Sequence, residues 1–270
     1  MADPLAGIPA VATNPQGTPT VAKAGVPNEH PLDGLIFSRS RRFVYAPVPK
    51  AACSSMKAYL RRIEGYTNEL DVHQLHDKRR NGLYYASSLT RSQMVDALFA
   101  RNGYFKFTVV RNPFARLVSA YCDLLTDRDG GGPRLGAAHQ GLLTELRLQR
   151  DARPSELTAI TFEDFIRSLE HKRPADMDRH WQPQSYLTVS GLLSYDLVIR
   201  LEQLDEATPE LADRLGTDLM VSERLNSVEG APTDLVTWFP EDLERIVLSV
   251  YASDFQRFGY PRSAREANRP

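Results

Sequence analysis

The stretch FVYAPVPKAACSSM, residues 43–56, joins an apolar run, a proline-rich loop and the start of a helical pattern. Its first four residues are apolar and stop at Pro47, which is typical of a short buried strand. Apolar residues then recur at spacings of four and three over 54–63, and Gly65 follows, so the pattern predicts a helix there. A loop of small residues between a strand and a helix lets backbone N–H groups approach an anion.

Three side chains of this loop are suited to an anionic ligand. Lys50 supplies a mobile positive charge, and Ser54 and Ser55 supply hydroxyl donors. This is the task of a phosphate-binding P-loop, but the Walker pattern GxxxxGKS/T is absent from the chain. The absence removes the main support for a kinase or an ATPase.

A second strand-to-helix junction offers another anion site. Residues 105–110, FKFTVV, are β-branched and aromatic and predict a strand, and Pro113 is well placed to open a helix. Arg111 lies where the strand ends, at the edge of the sheet where open α/β folds bind ligands. Ser119 lies about two turns into the helix, and both side chains could contact a second phosphate group.

The remaining chain continues the alternation of strands and helices. We expect helices over 91–101 and 239–258, a strand over 195–201, and a further helix that Thr161 caps together with Asp164. This order predicts an α/β fold with three layers, a P-loop-like arrangement in which helices flank a mostly parallel central sheet.

Composition divides the chain into an arm, a domain and a tail. Residues 1–34 hold six of the eighteen prolines and no aromatic residue, which predicts a flexible arm. One domain over 35–263 follows, and 264–270 form a tail. Within the domain, the polar and glycine-rich stretch 126–155 is a candidate lid over the acceptor site.

Charge and cysteine content exclude several classes of protein. Lys and Arg total 33 against 34 for Asp and Glu, a formal net charge of −1, which argues against a nucleic-acid partner. Cys53 and Cys122 lack metal-ligand spacing, so we expect no metal requirement and no disulfide framework. No apolar run of membrane length and no secretory signal is present, which predicts no integral membrane segment and a cytoplasmic location. The sequence does not indicate an oligomeric state.

Four ordered segments resemble the sulfotransferases that use 3′-phosphoadenosine 5′-phosphosulfate (PAPS), specifically the carbohydrate family that modifies chondroitin, dermatan and heparan-type glycans. Residues 47–56 are similar to that family's PK-x-x-C/S-S/T-S/T loop, and residues 110–121, VRNPFARLVSAY, to its R-D/N-P-F/Y-x-R-L-x-S segment. The stretches DRHWQPQ, residues 178–184, and YASDFQRFGY, residues 251–260, are also similar. The resemblance covers about residues 40–261.

The resemblance implies roles for individual residues. It assigns the 5′-phosphosulfate to Lys50, Ala52, Cys53, Ser54 and Ser55. It assigns the 3′-phosphate to Arg111 and Ser119. Sulfuryl transfer is an in-line displacement in which charge builds on the leaving phosphate oxygen, and Lys50 is the natural group to stabilise that charge.

The acceptor hydroxyl needs a base, and three histidines are candidates: His73, His76 and His180. Residues 71–76 lie between the two phosphate segments, where related heparan-type enzymes place their catalytic histidine. His73 is therefore the first choice, and the other two remain open.

The acceptor is expected to be a carbohydrate or glycoconjugate. Golgi members of the family carry a membrane anchor and several carry paired cysteines near the His-Trp segment; this chain has neither, which predicts a soluble bacterial-type member. Sulfation of a natural-product alcohol or phenol, a non-catalytic PAPS-binding module and a P-loop phosphotransferase are the alternatives. The last would need a Walker lysine and acidic metal ligands.

Overall fold

The central sheet of the computed structural model is built from short strands. The structure describes residues 30–100, 103–127, 130, 132–219, 221 and 234–267. Five strands lie in these ranges: β1 (Ile36–Ser38), β2 (Phe43–Ala46), β3 (Tyr84–Tyr85), β4 (Phe105–Val110) and β5 (Leu197–Arg200). Their order across the sheet is β3-β1-β2-β4-β5. The strands predicted over 43–46 and 105–110 are confirmed as β2 and β4, and the strand predicted over 195–201 is confirmed within shorter bounds.

Strand directions in this sheet are mixed. β4 runs parallel to β2 and to β5, whereas β1 pairs antiparallel with β2 and with β3. The prediction of a mostly parallel sheet is therefore wrong. The antiparallel pairing of β1 with β2 has a local cause. Residues 39–42 form the whole connection between these strands, and a connection this short can only reverse the direction of the chain.

Helices cover both faces of the sheet, as predicted. The helices within the described ranges are α1 (Cys53–Ile63), α2 (Val72–His76), α3 (Arg91–Phe99), α4 (Pro113–Ala120), α5 (Gly136–Arg150), α6 (Phe162–Arg167), α7 (Gln184–Leu187), α8 (Leu204–Arg214), α9 (Glu241–Val250), α10 (Ala252–Phe258) and α11 (Ala264–Ala267). The closing helix predicted over 239–258 is in fact two helices that meet at Tyr251. The capping pair predicted for α6 is confirmed, since Asp164 N donates to Thr161 Oγ1 over 3.1 Å.

Alternate residues of β2 point to opposite faces of the sheet. Phe43 and Tyr45 pack in one cluster with α1 and α8, while Val44 and Ala46 pack in another with α3. A third and larger cluster surrounds α4 and includes residues of α5, α6, α9 and α10. These clusters hold β2 and β4 in the middle of the fold, with the loops that follow both strands at one edge of the sheet.

The predicted arm, lid and tail each overlap ordered structure; in the tail, α11 (Ala264–Ala267) is helical and residues 268–270 lie outside the described residues. Residues 1–29 lie outside the described residues, whereas Pro31–Gly34 form a 3-10 turn whose ends are buried. The lid over 126–155 stays a prediction; its helix α5 places Leu142, Leu143 and Leu146 in the core. None of the described helices combines the length and the apolar character that a membrane crossing requires.

Phe114 tests the packing around α4. Its ring is fully buried and contacts the rings of Phe239 and Phe255 at centroid distances of 4.9 and 5.2 Å. We expect Phe114→Ala to lower the free energy of unfolding by about 3–5 kcal/mol, because it leaves a cavity. Urea denaturation measures this loss. Phe99→Ala is the matched control, because Phe99 is 51% exposed, and its expected effect is within about 0.5 kcal/mol. Equal effects of the two variants would contradict the packing.

Candidate active site

The β2–α1 loop, residues 47–52, has a backbone shaped for an anion. Lys50 and Ala52 have φ values of 66° and 53°, in the left-handed region that non-glycine residues adopt at a cost of roughly 1–2 kcal/mol each. Ala52 is the N-cap residue of α1, and no side chain caps the helix or places an acidic group in its first turn. The partial positive charge of the helix N-terminus is thus left for an anionic ligand, and the buried hydroxyls of Ser54 and Ser55 lie in the same turn.

Arg111 brings the second predicted anion site into contact with this loop. Its Nη1 donates to Lys50 O over 3.2 Å. Gln184 fixes its backbone, since Arg111 N donates to Gln184 Oε1 over 2.9 Å and Gln184 Nε2 donates to Arg111 O over 2.8 Å. Burial lowers the pKa of the Arg111 guanidinium, although the nearby Glu202 opposes that shift. The two segments that the sequence marked as anion sites therefore adjoin in space.

Ser119 is buried in the last turn of α4, and the helix continues as a π-helical turn over Tyr121–Leu125. Asp123 lies in this turn, four residues beyond Ser119, so the two side chains share a face of the helix. Asp123 Oδ2 accepts a 2.7 Å hydrogen bond from Lys50 Nζ. The Asp123 contact directs this face toward the β2–α1 loop.

Lys50, Asp123 and Arg134 form an ion-pair group. Arg134 Nη1 donates to the other carboxylate oxygen of Asp123 over 2.5 Å, and the side chains of Lys50 and Asp123 are only 9% and 11% exposed. Burial would raise the pKa of Asp123, but the hydrogen bond and charge of Lys50 and the charge of Arg134 lower it overall. Burial also lowers the pKa of the Lys50 ammonium, which Asp123 partly offsets. Asp123 is thus an ionised counter-charge for Lys50.

His76 is held by two residues of α1. Lys57 Nζ lies 3.2 Å from His76 Nδ1, and Ser54 Oγ lies 3.0 Å from Nε2. An ammonium can only donate, so Nδ1 accepts from Lys57 and Nε2 carries the proton that it donates to Ser54. Although part of the side chain reaches solvent, burial of the ring and then the charge of Lys57 hold the pKa of His76 well below its usual value. His76 is therefore neutral, and it orients the Ser54 hydroxyl.

The other two candidate histidines differ in their surroundings. His180 Nδ1 lies 2.7 Å from Asp178 Oδ1, and its side chain is 33% exposed. His73 lies on the solvent-exposed side of α2, one turn before His76. Charge on either ring lowers the pKa of His76, so the three histidines share one electrostatic environment.

A buried arginine joins the segment around His180 to the β2–α1 loop. Arg116 is 1% exposed, and its guanidinium donates to Pro49 O over 3.0 Å, to Gln182 O over 2.7 Å and to Arg179 O over 3.2 Å. The fully buried Asp254 accepts from Gln184 N and Ser185 N, both over 2.7 Å. Burial raises the pKa of Asp254, although these bonds and the charge of Arg116 favour its carboxylate form.

The sequence assigned no role to Arg116, Asp178, Gln184 and Asp254, although they lie in the segments 110–121, 178–184 and 251–260. For Arg116 the signal was a charged side chain inside an otherwise apolar helix, and for Gln184 it was an amide side chain beside a proline, whereas Asp178 and Asp254 carried no such signal. Asp123 carried the same signal as Arg116, a lone charge among apolar residues, and Arg134 carried none. Among the residues that the structure describes, no three His, Cys, Asp or Glu side chains form a group that could hold a metal ion. The expected lack of a metal requirement stays a prediction.

The fold and the site together define an α/β protein with a strand–loop–helix junction whose helix N-terminus has no side-chain cap, and a second, arginine-bearing junction beside it. The chain belongs to the sulfotransferase family, whose model matches residues 33–261. It is 28% identical over 238 residues to carbohydrate sulfotransferase 14 of Danio rerio, which covers 85% of this chain and 63% of the relative. It is 27% identical over 259 residues to carbohydrate sulfotransferase 10 of the same organism, which covers 86% and 68%.

Human carbohydrate sulfotransferase 9 is 25% identical over 252 residues, which covers 86% of this chain and 54% of that protein. The chain spans about three fifths of the length of the carbohydrate sulfotransferases 14 that it matches. No solved structure matches the chain significantly.

Asp123→Asn tests the counter-charge role of Asp123. The variant leaves Lys50 and Arg134 without their carboxylate, so we expect the free energy of unfolding to fall by about 2 kcal/mol and the melting temperature by roughly 5 °C. We also expect inorganic pyrophosphate to stabilise the variant more than the wild type, because the anion no longer competes with a carboxylate.

Thermal melts with increasing pyrophosphate measure both effects. Asp242→Asn is the matched control, since Asp242 pairs with Arg167 at the surface and little change is expected there. Weaker stabilisation of Asp123→Asn by pyrophosphate would show that Asp123 helps anion binding instead of competing with it.

Proposed function

We propose that the protein is a transferase that moves the sulfuryl group of PAPS to an acceptor hydroxyl, most simply that of a carbohydrate. Membership of the sulfotransferase family supports the reaction class, and the names of the relatives support a carbohydrate acceptor. The observation that carries the proposal is the junction of two anion-binding segments at Arg111 and Lys50. A donor with two separated anionic groups fits such a junction.

The proposed donor site uses the residues named from the sequence. The uncapped N-terminus of α1 would hold the 5′-phosphosulfate, with contributions from Lys50, Ala52, Cys53, Ser54 and Ser55. Arg111 and Ser119 would hold the 3′-phosphate. Gln184 fixes the backbone of Arg111, and the Arg111 guanidinium already donates to Lys50 O, so little side-chain freedom is lost when an anion binds.

Lys50 is proposed to stabilise the charge that grows on the leaving phosphate oxygen. PAPS supplies the activated sulfuryl group, and the protein supplies position and positive charge. In this structure Asp123 neutralises Lys50, so anion binding requires the ammonium to share or leave that carboxylate. Ser54, oriented by His76, would donate its hydroxyl hydrogen to the same anionic group.

The finer assignments remain proposals. The acceptor base named from the sequence, His73, is one of three histidines in this region. A natural-product alcohol or phenol remains the alternative acceptor, and a non-catalytic PAPS-binding module the alternative function; no observation favours either. The cytoplasmic location stays a prediction from the sequence.

Calorimetric titration with adenosine 3′,5′-bisphosphate tests the donor site. We expect micromolar binding, little response to ATP, and a loss of roughly 10- to 100-fold in affinity for Lys50→Met and for Arg111→Ala, because each removes charge-assisted hydrogen bonds. Arg153→Ala is the matched control, since that side chain is 84% exposed and its affinity should equal that of the wild type. Thermal melts would verify that each variant is folded.

Transfer itself is measured with labelled PAPS and two acceptor panels, desulfated glycan oligosaccharides and simple phenols such as 4-nitrophenol. Label in the glycans supports the proposal, and label only in phenols moves the acceptor to the alternative class. Binding without transfer to any acceptor would favour the non-catalytic module. A preference for ATP with magnesium would overturn the sulfotransferase proposal.

A further inference from the structure

The segment 178–184 is anchored to the β2–α1 loop independently of any ligand. Arg116 donates to carbonyl oxygens of Arg179 and Gln182 on either side of His180, and the same guanidinium donates to Pro49, the residue before Lys50. Because a buried guanidinium keeps its charge and needs these acceptors, the two backbone segments are held at a fixed separation. His180 therefore lies on a rigid support beside the β2–α1 loop, which is what a reacting group requires.

Asp178 fixes the ring of His180. Asp178 Oδ1 accepts from His180 N over 2.9 Å and lies 2.7 Å from His180 Nδ1. Burial would raise the pKa of Asp178, but the hydrogen bonds that it accepts from the ring and backbone N–H groups of His180 and the charge of Arg179 lower it overall, so the carboxylate is ionised. An ionised carboxylate can only accept, which puts the proton on Nδ1 and leaves the lone pair on Nε2. This carboxylate–imidazole arrangement orients a base and stabilises its protonated form.

The two other histidines are less suited to the same role. In His76 the Nδ1 lone pair accepts from Lys57 and Nε2 carries its proton toward Ser54, so neither nitrogen of the neutral ring offers a lone pair to an acceptor. His73 lies exposed on the short helix α2, and among the described contacts no carboxylate orients its ring. His180 combines partial exposure, a rigid support and an oriented carboxylate.

We propose that Asp178 and His180 form the catalytic dyad of the transfer, with His180 as the base and Asp178 as its positioning residue. His180 Nε2 takes the proton of the acceptor hydroxyl while the acceptor oxygen forms its bond to the sulfur of PAPS. The bond between that sulfur and the 5′-phosphate oxygen breaks, and its electron pair leaves with adenosine 3′,5′-bisphosphate. The imidazolium then returns its proton to solvent. This inference rests on the proposed function.

The first test is spectroscopic and needs no turnover. Nitrogen-15 spectra of the histidine rings in the wild-type protein should show His180 as the Nδ1–H tautomer at neutral pH, assigned by its loss in His180→Asn. In Asp178→Asn the amide can donate to Nδ1, so we expect a shift toward the Nε2–H tautomer. A wild-type His180 found as the Nε2–H tautomer would overturn the dyad.

The second test compares kinetics and binding. His180→Ala should lower kcat with PAPS and the best acceptor of the two panels by roughly 10²- to 10⁴-fold. Asp178→Asn should lower it by about 10-fold or more, with KM little changed, because the dyad acts on the reacting proton. Adenosine 3′,5′-bisphosphate should bind both variants within about twofold of the wild type. Added imidazole should restore part of the activity of His180→Ala but not that of Asp178→Asn.

His171→Ala is the matched control, since His171 is exposed and takes no part in the site. If His73→Ala abolishes transfer while His180→Ala and His180→Asn retain it, the dyad is wrong and His73 is the base. A wild-type protein that neither binds adenosine 3′,5′-bisphosphate nor transfers sulfate would instead refute the proposed function. Loss of nucleotide binding in both His180 variants would assign His180 a structural role and overturn its role as base.

Discussion

The buried guanidinium of Arg116 is the constraint on which the candidate site depends. A charged residue that is 1% exposed must place its N–H donors on acceptors, and here the acceptors are three backbone carbonyls from two distant segments. Removing such a group would cost several kcal/mol, because the carbonyls would lose their partner inside the protein. The geometry between Pro49 and the segment around His180 is thus fixed by folding itself, before any ligand binds.

A second chain of contacts links the C-terminal helices to the other anion site. Asp254 on α10 accepts from the first amides of α7, and Gln184 at the start of α7 brackets the backbone of Arg111. Tyr251, at the break between α9 and α10, donates its hydroxyl to Trp181 O. The four segments that resemble the family are therefore one connected structure, and the segment over 251–260 supports the proposed site without a ligand contact of its own.

The sequence predicted the local elements of this structure. It failed where contacts join residues that are distant in the chain and where strands are very short. β2, β4 and the capped start of α6 follow from apolar runs and a Thr–Asp spacing. β1 and β3 have three and two residues, too few for an alternation to be recognised, so the antiparallel edge was missed. The pair between Lys50 and Asp123 spans 73 residues of chain. No spacing rule connects such positions, because only the packing of α4 against the loop brings them together.

Asp123 also supplies the negative charge that balances the cationic side chains of the site. Lys50, Lys57, Arg111 and Arg134 concentrate positive charge near the N-terminus of α1, in a chain whose formal net charge is only −1. Without a counter-charge, the buried ammonium of Lys50 would pay a desolvation cost whenever the site holds no anion. Asp123 removes that cost, but it makes anion binding an exchange of one negative partner for another. The affinity for a ligand then depends on how much more strongly a multiply charged anion interacts with these cationic side chains than the carboxylate of Asp123 does. Such a site favours ligands that bridge both junctions over single anions.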